Sequence, residues 1–321
     1  MKPLPTLRQL RYLVAAAERG HFGQAAEACL VSQSTLSAGI QELETLFGAR
    51  LLERGRRNAV PTPLGREIVA RAQVLLQGAE DMLDVARAAR DPMTGPLQLG
   101  VIPTIGPFLL PRAMPVLRAR FPRLQLYLRE EQTARLISRL HAGELDAAIL
   151  ALPYPIEGLE ESDIAGDRFF LVCPRGHRLA GADSVRPDDI ALEDLLLLED
   201  GHCLRDHALA ACQLEGARRN ASFQGTSLQT LVQMVANGLG VTLLPQLALD
   251  AGILRGLDLA VVPLADDAPP RRIGLVWRRT SGRRETFGRL AEALAGTFAT
   301  DTPDEKPAAS ANPKRSRRSA R

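Results

Sequence analysis

The sequence predicts an N-terminal, helix-rich winged helix-turn-helix module, then one long linker helix, then an α/β unit. Three observations carry that reading. Apolar residues between positions 7 and 47 recur at helical spacing, broken by short polar or glycine signals. A single long apolar seam follows, from about 62 to 86. Past a stretch rich in Pro and Gly at 91–96, apolar runs of strand length alternate with helical segments.

The first two helices fall within 7–29. Leu10, Leu13, Val14 and Ala17 form the apolar face of the first, Gly20-His21 interrupts, and Phe22 to Cys29 resumes the pattern. The small residues Ala25 and Ala26 let two helices cross closely. Ser32 caps a third helix whose apolar face is Leu36, Ile40, Leu43 and Phe47, and Gly48 ends it. The opposite face carries Ser32, Gln33, Ser34, Thr35, Ser37 and Gln41. Short polar side chains at a helix N-terminus suit the major groove, where they reach base edges and phosphates. Residues 51–62 read as a hairpin with Arg54, Arg56 and Arg57 at its tip. Directly after a helix-turn-helix, such a hairpin reads as a wing whose arginines hold phosphates or enter a minor groove. Thr62 starts the long helix, with Ile68, Ala72, Leu75, Ala79, Met82 and Ala86 as one seam expected to pack on a second copy of the chain, the alternative being the chain's own body.

In the α/β unit, strands are expected at 97–102, 124–128, 145–152, 169–173, 195–198, 241–244, 257–262 and 273–277. Helices are expected at 109–120, 133–142, from about 203 toward 214, at 227–237 with Thr226 as cap, and at 285–298. The turns at Pro103-Thr104 and Gly225-Thr226-Ser227 follow strands, where open α/β sheets bind ligands; Thr226 and Ser227 are therefore candidate ligand contacts.

Leu198-Glu199-Asp200-Gly201-His202-Cys203-Leu204-Arg205-Asp206-His207 concentrates the titratable chemistry. Cys203 stands at the expected start of a helix, where the dipole favours an anion, and Arg205 and His202 push the same way. Cys212 lies nine residues on. In one continuous helix the two Cα atoms would stand ~13 Å apart on nearly opposite faces, against roughly 4.4–6.8 Å for a disulfide. A bond between them would require the segment to unwind; otherwise the pair packs as two small hydrophobes. His207, an added titratable group close to Cys203, reads as a surface histidine, with tuning of the thiol as the alternative; Cys29 and Cys173 read as packing residues, with a minor redox role as the alternative for Cys173 at its strand end.

The totals exclude several classes. A net charge of +3 confines any nucleic-acid surface to a local patch. Four cysteines are too few for a disulfide scaffold, and their spacing fits no paired-cysteine metal motif, so neither a metal nor another cofactor is expected. No apolar run reaches the ~18 residues of a membrane span, and positions 1–9 lack a signal-peptide core. The expected location is the cytoplasm, where thiols start reduced.

The first 66 residues resemble the LysR-type transcriptional regulators. The match runs through Leu10-Arg11-Tyr12-Leu13, Phe22, Ala25-Ala26, Val31-Ser32-Gln33, Leu36-Ser37, Ile40, Leu43-Glu44, Leu51-Leu52-Glu53-Arg54 and Thr62-Pro63-Leu64-Gly65. Within the family the chain is similar to the hydrogen-peroxide-sensing activators, through 102–107, 198–206, Cys212, 226–228 and 270–276. The resemblance implies a two-lobed, periplasmic-binding-protein-like α/β regulatory domain and no enzymatic activity. It implies that Cys203 is the peroxidatic thiol and Cys212 the resolving thiol of a redox-active disulfide. Thr104, His202, Asp206 and Arg271 (or Arg272) would line the peroxide pocket. Implied partners are double-stranded promoter DNA, hydrogen peroxide, further copies in a homodimer or homotetramer, RNA polymerase, and a glutaredoxin- or thioredoxin-type reductant. Gln41 and Glu42 depart from the basic residues often found in such relatives, which alters the expected base preference.

The expected boundaries are 1–66 for the winged module and 67–95 for the dimerising linker and hinge. The regulatory domain would span 96–300, with lobe I about 96–167 and 268–300 and lobe II about 168–267. A disordered basic tail would occupy 301–321. The rival readings are a regulator responding to a small metabolite between the lobes, a zinc site built from His202, Cys203, His207 and Cys212, and a free-standing thiol peroxidase.

Overall fold

The computed structural model describes residues 3–54, 59–88, 91–211, 225–265 and 270–299. The chain opens with α1 (Leu7–Arg19), α2 (Phe22–Ala28) and α3 (Gln33–Phe47). Local chemistry sets their ends. Thr6 and Gln9 cap α1 reciprocally, Ser32 Oγ accepts from the Thr35 N–H at 3.1 Å, and Gly48 closes α3 at φ +65°. Leu13, Ala25, Leu36, Ile40 and Leu43 are buried at the centre of this unit. Gly39 lets α3 approach α1: a Cβ there would sit 2.8 Å from the Tyr12 ring. The wing is β1 (Leu52–Arg54) paired antiparallel with β2 (Ala59–Pro61). The buried Glu44 side chain fastens it, accepting from the Leu51 and Leu52 N–H groups at 2.9 and 3.2 Å.

The long helix is α4 (Pro63–Ala88). Its expected single seam divides. Ile68 and Ala72, with Val69 and Leu76, pack on the core of the winged unit, whereas Leu75 and Met82, with Val74 and Leu83, are exposed. The reason is that α1 lies along the first part of α4 and takes up the apolar face there.

The α/β part comprises β3 (Gly95–Val101), α5 (Gly106–Arg120), β4 (Leu124–Glu130), α6 (Thr133–Ala142), β5 (Ala147–Leu152), β6 (Leu159–Asp167), β7 (Phe169–Pro174) and α7 (Pro187–Ala191). It continues with α8 (Cys203–Ala211), α9 (Leu228–Ala236), β8 (Thr242–Pro245), α10 (Gln246–Asp250), β9 (Leu259–Pro263), β10 (Arg271–Arg278) and α11 (Arg284–Ala299). Two sheets result, one ordered β4-β3-β5-β10-β6 and one ordered β8-β7-β9. The chain passes from the first sheet to the second between β6 and β7 and returns at β10.

Three differences from the sequence reading have local causes. Leu195–Leu198 is not a strand: Leu195 bridges Val241 and Leu198 bridges Gly225, two separate segments, so no ladder builds. The cap of α9 is Ser227, not Thr226; Ser227 Oγ accepts from the Thr230 N–H at 3.2 Å and Thr226 is exposed one residue earlier. Strand β6 was not expected because it carries Glu160, Glu161, Asp163 and Asp167. Arginines supply their partners: Arg284 on Glu160, Arg272 on Glu161 and Asp163, and Arg271 on Asp167. Residues 301–321 lie outside the described residues.

Candidate redox site and nucleic-acid interface

Cys203 is the first residue of α8 and is buried. The turn before it uses Gly201 at φ +96°, a conformation that disfavours a side chain. A Cβ there would also meet the Gln132 amide at 3.1 Å, so the turn lies against the start of α6. Thr133, the first residue of α6, is buried. Its Oγ1 meets no group at full hydrogen-bonding geometry, but it stands close enough to the Cys203 thiol to favour the charged form.

On the other side is a network spread over the sequence. Arg271, at the start of β10, binds Asp167 Oδ2 through Nε and Nη2 at 2.9 and 2.8 Å. It also reaches Thr104 Oγ1 from Nη1 and the Thr104 carbonyl from Nη2, both at 3.2 Å. Asp167 Oδ1 accepts the Leu247 N–H of α10 at 3.0 Å. Thr104, Asp167 and Arg271 are all buried. The network joins the turn after β3, the end of β6, the start of β10 and α10. Arg272 instead points outward to Glu161 and Asp163. Because Thr104 Oγ1 accepts from Arg271, its own O–H remains a donor.

The electrostatics correct one expectation. Arg205 and His202 do not supply a positive field at Cys203. The Arg205 guanidinium is paired with Asp200, and burial, opposed by Glu199, holds His202 below the usual imidazole range. Burial also pushes the Cys203 thiol up. The Thr133 hydroxyl, the Arg271 charge and the Ala151 backbone oppose that rise, while the Asp206 carboxylate adds to it. The resting form near neutrality is therefore the thiol, in spite of the helix terminus.

His207, expected at the surface, is half-buried, with Nε2 2.9 Å from the Pro153 carbonyl. Asp206 is exposed and Ser227 half-buried. Cys173 is buried on β7 and Cys29 half-buried after α2; burial raises both thiols. Cys212, the other half of the expected pair, lies outside the described residues. The sequence reading missed Thr133, Asp167 and Pro153. Thr133 at a helix start was the one local hint; the other two are joined to the site by the fold alone.

On α3 the polar face is open: Ser32, Gln33, Ser34, Thr35 and Gln41 are exposed, and Ser37 is half-buried. Arg54 ends β1 beside the wing tip, whereas Arg56 and Arg57 lie outside the described residues. The model of the bacterial regulatory helix-turn-helix protein, lysR family, matches residues 7–66, and that of the LysR substrate binding domain matches 90–299. The chain belongs to the LysR family of transcriptional regulators.

This LysR-type regulator is similar to the HTH-type transcriptional regulator EstR of Acinetobacter baylyi. The two are 43% identical over 300 residues, covering 94% of this chain and 99% of the relative. It is also similar to a hydrogen peroxide-inducible genes activator of Escherichia coli O6:H1, at 42% identity over 288 residues, covering 90% of this chain and 94% of that one. Among solved structures, full-length OxyR from Pseudomonas aeruginosa, a cysteine-to-aspartate variant, matches with a TM-score of 0.74 at 36% identity. It covers 91% of this chain and 98% of that one. The helix-turn-helix makes this LysR-type regulator a DNA-binding transcription factor, and among its described residues no helix is long and apolar enough to cross a membrane.

Proposed function

We propose that this regulator senses hydrogen peroxide through Cys203. One observation carries the reading: a buried thiol starts α8 beside Thr133 and within the field of Arg271, in a chain 42% identical to a hydrogen peroxide-inducible activator. The thiol sulfur attacks one peroxide oxygen, the O–O bond breaks, and sulfenic acid and water form. Thr104 donates its O–H to the bound peroxide, and Arg271 holds Thr104 and offers charge to the departing oxygen. His202 and Asp206 complete the pocket, with Thr226 and Ser227 at its outer edge.

Cys212 then displaces water from the sulfenic acid to give the disulfide. Since α8 extends through Ala211, that step requires its last turns to unwind. The rearranged segment shifts how copies of the chain pack and hence how promoter DNA is held. Residues 1–66 act as the DNA reader, 67–95 as the linker joining two copies, and 96–300 as the sensor. The outer stripe of Val74, Leu75, Met82 and Leu83 on α4 is the surface for the second copy, and two dimers make a tetramer. Oxidised protein would engage RNA polymerase, and a dithiol reductant of the glutaredoxin or thioredoxin class would reset it.

Similarity to EstR, whose name carries no mention of peroxide, favours a second reading: a metabolite held between the lobes, with the cysteines incidental. One variant separates the two. Cys203→Ser should abolish the change that peroxide produces in promoter binding and transcription, while leaving basal DNA binding intact. An unchanged peroxide response in that variant would remove Cys203 as the sensor.

A further inference from the structure

The exposed face of α3 holds one long polar side chain that the fold leaves unengaged. At about 100° per residue, Ser34, Ala38, Gln41 and Thr45 form one line opposite the buried Leu36, Ile40 and Leu43, and all four are exposed. Ser34 Oγ is shared with Ser32 Oγ at 2.8 Å, Thr45 Oγ1 donates to the Gln41 carbonyl at 2.8 Å, and Ala38 has no polar side-chain atom. Glu42, beside the line, is drawn toward α1. Gln9 Nε2 donates to its Oε2 at 3.1 Å, and Gln9 Oε1 in turn accepts from the Thr6 N–H and hydroxyl, both at 3.0 Å. The Gln41 side-chain amide makes no hydrogen bond among the described residues.

α3 carries no Lys, Arg or His, so the cationic donors that most often bind guanine are missing from it. A glutamine amide offers a donor and an acceptor side by side, the complement of the N7 acceptor and N6 amino donor of adenine. Against guanine its Oε1 would face the O6 acceptor. We propose that Gln41 selects an adenine in the major groove, with the Ala38 methyl against the thymine methyl of the neighbouring base pair. The two residues rise about 4.5 Å along the helix, near the ~3.4 Å stacking of bases. The backbone that aims Gln41 is held in place. α3 is pressed on α1 at Gly39, where a Cβ would sit 2.8 Å from the Tyr12 ring, and Thr45 ties off the Gln41 carbonyl. This inference rests on residues 1–66 as the DNA reader and is independent of the peroxide response.

The test is selection of binding sites from a randomised DNA duplex library by the reduced full chain, repeated with Gln41→Ala and Gln41→Arg. Gln41 is exposed, so both variants should unfold at the same temperature as the unaltered chain. The unaltered chain should enrich adenine at one position of the selected sites. Gln41→Ala should lose that preference alone, with affinity for the enriched duplex lower by about ten-fold, and Gln41→Arg should move the preference to guanine. A loss of affinity spread evenly over all duplexes would make Gln41 a phosphate contact and overturn the proposal. So would an unchanged set of selected sites with Gln41→Ala. If the unaltered chain enriched no duplex at all, the DNA-reading role of residues 1–66 would itself fall, and that of Gln41 with it.

Discussion

Arg271→Met is expected to destabilise the regulatory part by about 3–5 kcal/mol, because it leaves a buried carboxylate without its cation. Asp167 is almost fully enclosed, at 1% side-chain exposure, and two of its hydrogen bonds come from Arg271. The loss also frees the turn at Thr104, which Arg271 holds at both the hydroxyl and the carbonyl. Denaturant unfolding of the full chain measures it. Adding Asp167→Leu should return part of the lost stability, since the uncompensated charge goes with it. The double variant should still fail to react normally with peroxide, because Thr104 and Cys203 keep no arginine. If the single variant unfolded like the unaltered chain, the network would not be what ties the two sheets together.

Glu44→Ala should act at the other end of the molecule. Its carboxylate receives two buried backbone N–H groups from the first residues of the wing. Leaving those donors unsatisfied costs about 1–3 kcal/mol each. The wing would detach from α3, and DNA affinity would fall while Cys203 oxidation stayed normal. Glu44→Gln keeps a carbonyl acceptor and should recover most of the loss. Thermal unfolding and a DNA-binding titration of the three proteins provide the check; equal stability for Ala and Gln would show that the two hydrogen bonds contribute nothing.

Glu44 also shows how far local sequence carries. It lies within the family match through Leu43-Glu44, yet nothing in the sequence around it says that it ties a helix to a strand. Helix ends were legible because their determinants are local: Ser32 and Gly48 act on groups within a few residues. The strands β5 and β7 were legible because burial makes them continuously apolar, and β3 because buried Leu97, Leu99 and Val101 flank its exposed Gln98. Strand β6 was not, since its acidic residues are neutralised by arginines of β10 and α11, more than 100 residues away. The site divides the same way. Cys203 at a helix start could be read directly, but its protonation could not. That depends on burial, and on Asp200 engaging the very arginine that seemed available. Asp167 and Pro153 enter the site only once the chain is folded.

The measurement that tests the central claim most directly is a peptide map of the purified full chain after brief exposure to low hydrogen peroxide. Mass spectrometry would show how Cys203 and Cys212 are joined, and hydrogen exchange on the same samples would follow α8. A peptide linking Cys203 to Cys212, with faster exchange across residues 203–211 that reverses on reduction, is the predicted result. Cysteines left unlinked, or a link formed with no change in exchange across α8, would contradict the account.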